Sequence, residues 1–213
     1  MDFTFIKNTI ENSTMSQMDL YHSTTGDGRI ESAESECLVS KHIQQLFANT
    51  EIKVTLAPQA RHWYDIMIEY NEKIYPINIK ITSGYSADNV SSKLGLFYAL
   101  TGILPDKQSG LNRWEQYNTA LTQKLDLTTD ADYYFIVYFK ETGTFLFTSL
   151  KRIYKLVSNG NNLPFQCKWS DNIEYTTRTR EEQSLYLMEV YYDSWIKKTG
   201  GFAPLMQWKE QLK

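Results

Sequence analysis

Asp65, Asn78 and Lys80 are the residues of this 213-residue chain whose types and spacing could do chemistry together. Asp65 opens the segment Asp65-Ile66-Met67-Ile68, and Tyr75-Pro76-Ile77 leads into Asn78-Ile79-Lys80. In a strand, side chains two positions apart share a face, so residues 78 and 80 look the same way. A short hairpin sets Asp65 beside them across the ladder. The company is otherwise apolar: Ile66, Ile68, Ile74, Ile77, Ile79 and Ile81. Polar groups gathered in such surroundings need a partner, and a divalent cation can supply it. A cation held by a carboxylate activates water, and an adjacent ammonium stabilises developing negative charge. The equipment is that of hydrolysis.

The elements that must position these residues follow from periodicity. Residues 31 to 48 read as a helix, with Val39, Ile43, Leu46 and Phe47 at helical spacing. Ile52, Val54 and Leu56 alternate, which predicts a strand over 51 to 57. Strands follow over 64 to 70 and 73 to 82, joined by a tight turn at Asn71-Glu72. The spacing predicts a helix over 87 to 101, N-capped by Ser86 or Asp88 and ended by Gly102, and another over 111 to 125. Tyr133 to Phe139 is a dense apolar run of buried-strand type, and 144 to 148 can pair with it. Thr179 and Glu182 form a capping box that starts a long helix at Arg180. Residues 21 to 29 read as a loop. The order predicts an α/β fold with a central mixed β-sheet flanked by α-helices. The expected organisation is a single domain over 1 to 213, with a core at about 31 to 140 and a C-terminal helical part at about 175 to 213.

The pattern Asp65, then Asn78-Ile79-Lys80, resembles the signature of the PD-(D/E)xK nuclease superfamily. There an acid begins one hairpin strand, and an acid-x-Lys triplet lies on its neighbour. The resemblance implies a restriction-endonuclease-like core and Mg2+-dependent hydrolysis of phosphodiester bonds. It makes Asp65 the main metal ligand, with Asn78 and the backbone carbonyl of Ile79 beside it. It gives Lys80 the attacking water and the charge on the phosphate. Many members add a glutamate from the first helix. Glu36 fits, lying at helical spacing from Val39, Ile43 and Phe47. Asn78 departs from the pattern, which has Asp or Glu there. Asparagine offers a neutral oxygen, so metal affinity falls. Either Glu36 supplies the missing charge in a natural variant, or an acid has been replaced.

What else the sequence carries narrows the function. Two cysteines and three histidines lack the spacing of a zinc site, and Cys37 reads as a buried thiol inside a helix. No apolar run reaches the roughly 20 residues of a membrane span, and residues 1 to 20 lack a signal-peptide layout, so the expected place is cytoplasmic. The net charge of −3 is no basic footprint, although cations can still gather on one face. Candidate DNA contacts are Ser83, Tyr85, Asn89 and Lys93 around the expected helix start, and Arg178 and Arg180 at the capping box. Lys93 and the two arginines equally suit solvated helix positions. Loops 102 to 112 and 158 to 164 could reach base edges. The expected activity is that of a type II restriction endonuclease, a homodimer cutting double-stranded DNA at a palindromic site. The alternatives are a repair or recombination nuclease of the same fold, or a DNA-binding module made inactive by Asn78.

Overall fold

In the computed structural model, β2 (Ile66–Tyr70) and β3 (Lys73–Thr82) form the expected antiparallel hairpin, with Ile66 opposite Ile77 and Tyr70 opposite Lys73. Asn71 and Glu72 both take positive φ, 48° and 61°, as a two-residue turn between twisted strands requires. β1 (Lys53–Leu56) pairs antiparallel with β2 on the other side. β5 (Tyr134–Phe139) runs parallel to β3, from Ile77 opposite Tyr134 to Thr82 opposite Phe139. β6 (Thr144–Ser149) lies next to β5 and completes a five-stranded mixed sheet in the order β1-β2-β3-β5-β6. Pro76 sits in β3 without breaking the sheet, because the pairing with β5 begins only at Ile77. Tyr133 and Tyr64, expected in strands, lie just outside them.

The described residues are 3–13, 28–59, 61–90, 93–108, 110–200 and 203–211. They divide between two compact units, each built from two stretches of chain. The first takes residues 1–84 and 134–148, the second 85–133 and 149–213. The expected core at about 31 to 140 therefore draws on both.

Alternation along the hairpin decides the core of the first unit. Ile66, Ile68 and Tyr70 share a face with Tyr75, Ile77 and Ile79, and all six are buried. α2 (Gly28–Leu46) lays Val39 and Ile43 on that cluster, and Phe47 follows just past its end. α1 (Phe3–Glu11) adds Ile6 and Ile10, one helical turn apart. Periodicity in the sequence predicts no helix there. Of the expected loop at 21 to 29, residues 21 to 27 lie outside the described ones, and Gly28 and Arg29 belong to α2. Cys37 is exposed on that helix, not buried as expected, because the helix buries Ser35, Val39, Ser40 and Ile43 and 37 falls off that stripe.

The second unit holds α3 (Lys93–Thr101), α4 (Trp114–Gln123), α5 (Arg180–Thr199) and α6 (Ala203–Glu210). It also carries a two-stranded sheet of β4 (Asp88–Asn89) and β7 (Gln166–Cys167). The helix expected from residue 87 thus begins at Lys93. Asp88 and Asn89 pair with Cys167 and Gln166, and Asp88 accepts a bond of 2.9 Å from the Trp169 indole, so it is engaged in the small sheet. Gly102 ends α3 at φ 69°, and the capping box at Thr179 and Glu182 starts α5 as expected. Gln183, wholly buried, donates to the carbonyls of Leu150 and Ile153 at 2.9 Å each and so fixes α5 to the chain after β6. Among the described residues no helix is long and apolar enough to cross a membrane.

Candidate active site

β2 and β3 part company at Asp65. Its N–H still donates to the Ile77 carbonyl at 2.9 Å, and its own carbonyl accepts from Ala57 at 2.9 Å. The preceding residues then turn aside into an aromatic stack, with His62 edge-on to Tyr64 at 4.4 Å and Trp63 edge-on to Tyr64 at 5.0 Å. Ile79, next along the β3 edge, is left without a backbone partner there. The Asp65 carboxylate takes that place: Oδ2 accepts from the Ile79 N–H at 2.6 Å and from Asn78 Nδ2 at 2.8 Å. A residue in a strand presents N–H and C=O on the same edge, so the Ile79 carbonyl also looks toward Asp65.

Three effects act on Asp65. Burial raises its pKa above the ordinary carboxylate value, and this is the largest; the Ile79 N–H and the charge of Lys80 pull it part of the way back. Lys80 is half-buried and sits on the Asn78 face, as the period of two demands. Asn78 Oδ1 is buried and has no hydrogen-bond partner. A buried acceptor left bare costs about 1–3 kcal/mol, which a donor or a cation at that oxygen would relieve. The available donors are a carboxylate, an amide oxygen and a main-chain carbonyl. All are oxygens, the set a hard cation such as Mg2+ prefers.

The structure thus brings together Asp65, Asn78, Ile79 and Lys80. Glu36 is half-buried on α2, whose apolar stripe packs on the isoleucine face of β2 and β3, whereas Asn78 and Lys80 alternate to the opposite face. Among the described residues no three His, Cys, Asp or Glu side chains gather to hold a metal.

The proposed DNA contacts meet different fates. Ser83 is half-buried, and Tyr85 is 65% exposed. Asn89 is exposed on β4. Lys93 is engaged: Nζ donates to the Asn112 carbonyl at 2.7 Å and lies 4.7 Å over the Trp114 ring, and burial lowers its pKa. Arg178 stacks 3.9 Å over Tyr186 and donates to the Tyr154 carbonyl, Thr176 and Gln183 at 3.0 to 3.2 Å. The partners of both lie within the second unit. Arg180 is exposed.

Sequence reasoning missed a second group of charges. Asp132 is buried and accepts from the N–H groups of Tyr133 and Lys151 at 2.8 and 3.2 Å. Burial raises its pKa, and burial lowers that of Lys151 to about 8. The run Asp126, Asp130, Asp132 was the available signal, but its partner Lys151 is remote in sequence.

No known protein-family model matches this chain, and no curated protein matches it. Fold and site together define an α/β protein with a central mixed five-stranded sheet and a polar cluster where two of its strands separate.

Proposed function

We propose that this chain is a Mg2+-dependent endonuclease of the PD-(D/E)xK type with a restriction-endonuclease-like core, and that it acts on double-stranded DNA as a type II restriction enzyme. The observation that carries the reading is the separation of β2 from β3 at Asp65. There a carboxylate, an unpartnered amide oxygen and a lysine meet on one sheet face. Asp65, Asn78 Oδ1 and the Ile79 carbonyl would hold Mg2+, which supplies an activated water and a sink for phosphate charge. Lys80 orients that water and stabilises the charge that develops as it attacks. Asn78 keeps Asp65 in place through its amide N–H, and its free oxygen would be left to help hold the ion. A symmetric cut in a duplex calls for two such sites, hence a homodimer.

One observation favours a second reading, a DNA-binding module that does not cut. The Asn78 amide donates to the same carboxylate that should hold the ion, and so satisfies Asp65 without a metal. Cleavage of plasmid DNA in Mg2+ and in Mn2+ by the parent protein, Asp65→Ala and Asn78→Asp separates the two. Discrete bands from the parent, lost in Asp65→Ala, are expected. Nicking confined to branched substrates points to a repair or recombination nuclease of the same fold. If only Asn78→Asp cuts, the parent is the silent module. Cutting by Asp65→Ala at the parent's rate removes this hairpin from the chemistry. Light scattering checks the dimer.

A further inference from the structure

A chain of three side-chain amides crosses the small sheet of the second unit. Asn159 Nδ2 donates to Gln166 Oε1, and Gln166 Nε2 donates to Asn89 Oδ1 at 2.9 Å. An amide can be turned over, so the direction of such a chain needs an anchor. Here the anchor is backbone. Asn159 Oδ1 accepts from the N–H groups of Asn161 and Asn162, at 2.8 and 3.2 Å. Those donors cannot be reversed, so Asn159 must offer its NH2 to Gln166. Gln166 must then offer its own NH2 onward, and Asn89 must accept. The Asn89 NH2 is left facing outward with no partner among the described residues, on an exposed position.

The chain rests on a firm base. The Asn159 N–H donates to Ser194 of α5 at 2.9 Å, and Lys197 of the same helix donates to Ser158. A Cβ on Gly160 would lie 2.9 Å from the α5 backbone, so the loop is pressed against that helix. At the other end, the pairing of Asn89 with Gln166 in β4 and β7 fixes the backbone beneath the last amide.

We propose that Asn89 is a specificity residue for duplex DNA, held so that it offers hydrogen-bond donors to an acceptor edge of a base. The inference rests on the nuclease reading above and deepens it. A free asparagine matches adenine, which has a donor beside an acceptor. An asparagine whose oxygen is engaged by Gln166 favours instead a base with adjacent acceptors, and in the major groove that is guanine, through N7 and O6.

The test is enrichment of a random-sequence duplex pool by the full-length protein in Ca2+, with sequencing of the bound fraction. The parent is expected to enrich a motif containing a guanine whose preference falls roughly tenfold in Asn89→Ala. Gln166→Leu, which breaks the chain without touching the outward NH2, should weaken the same position alone. Asn89→Asp turns donors into acceptors and should shift that position toward cytosine. Circular dichroism checks that the variants are folded. If Asn89→Ala enriches the parent's motif unchanged, Asn89 reads nothing. A uniform loss of affinity, equal for all sequences, makes it a phosphate contact and overturns the proposal. A parent protein that binds no duplex at all defeats the nuclease reading as well, an outcome separate from a motif that survives in Asn89→Ala.

Discussion

Replacing Asp65 with asparagine should move stability and metal response in opposite directions. In the folded protein burial holds the Asp65 pKa above its ordinary value, and the Ile79 N–H and Lys80 only partly offset this. A raised carboxylate pKa means that its contribution to stability is complete below the unfolded pKa and is lost as pH rises through the folded one. At neutral pH the ionised group is therefore a burden in the absence of metal. Asparagine is the same size, and its Oδ1 can accept from both Asn78 and Ile79 as Oδ2 does now. Without metal at pH 7, Asp65→Asn should thus melt at or above the parent's temperature, and the difference should shrink toward pH 4. With metal the order reverses. A site with one carboxylate should bind Mg2+ with Kd on the order of 1 mM, since affinity follows ligand charge. At about ten times Kd, a ligand that binds only the folded state contributes roughly 1.4 kcal/mol, or about 3–6 °C for a chain of this size. The parent should show that rise in a thermal melt followed by circular dichroism, and Asp65→Asn should show none. An equal rise in both proteins would put the ion elsewhere. A metal-free melting temperature several degrees below the parent's would make the Asp65 charge a structural necessity and refute the reasoning.

Three further outcomes test other links. Lys80→Ala should abolish cleavage while duplex binding stays within about tenfold, because on the proposed reading the residue acts on water and charge; paired gel-shift and cleavage assays decide it. Glu72→Gly should raise the melting temperature by roughly 1–2 °C, since Glu72 holds φ 61° in the hairpin turn, a conformation that disfavours residues with a Cβ and that glycine takes freely. Gly95→Ala should lower stability by about 1–2 kcal/mol in urea denaturation despite alanine's helix preference, because the new Cβ would meet three atoms of the buried Tyr133 ring at 2.8 to 2.9 Å.

The hairpin was legible because its information is local. Alternating isoleucines fix which face is buried, and with that face fixed a one-residue slip would turn Asn78 and Lys80 into the core. The capping box at Thr179 is local in the same way. What the sequence hid was decided at long range. Asp88 and Asn89 are poor strand formers and look like a helix start until Gln166, 77 residues away, pairs with Asn89. Lys93 and Arg178 suit phosphate contact and solvated helix positions equally by sequence, because a cation near a helix start serves both. Their carbonyl and aromatic partners within the chain are remote enough in sequence to be invisible to that reading. Glu36 lies on the expected helix, and helical spacing alone says nothing about which sheet face that helix covers.

Asn78 is where the physics of fold and site pull against each other. A carboxylate at that position would add charge to bind a cation. It would also stand about where Nδ2 now donates to Asp65 at 2.8 Å, and two ionised carboxylates at that distance repel unless an ion or a proton sits between them. The separated strands would then depend on the metal to keep their shape. With asparagine the amide N–H supplies what the ion would otherwise supply, so Asp65 is oriented and the Ile79 N–H satisfied before any ion arrives. On the proposed reading the same bond would draw negative charge away from Asp65 as a metal ligand, so the arrangement that preforms the site would also weaken it as a cation trap, with Asn78 Oδ1 left to bind the ion as a neutral oxygen. A preformed but weak site responds to the concentration of the ion and to what else coordinates it. If the chain is the nuclease proposed, the phosphate of a bound duplex would add an oxygen ligand of the required charge, so nucleic acid and metal should each strengthen the binding of the other.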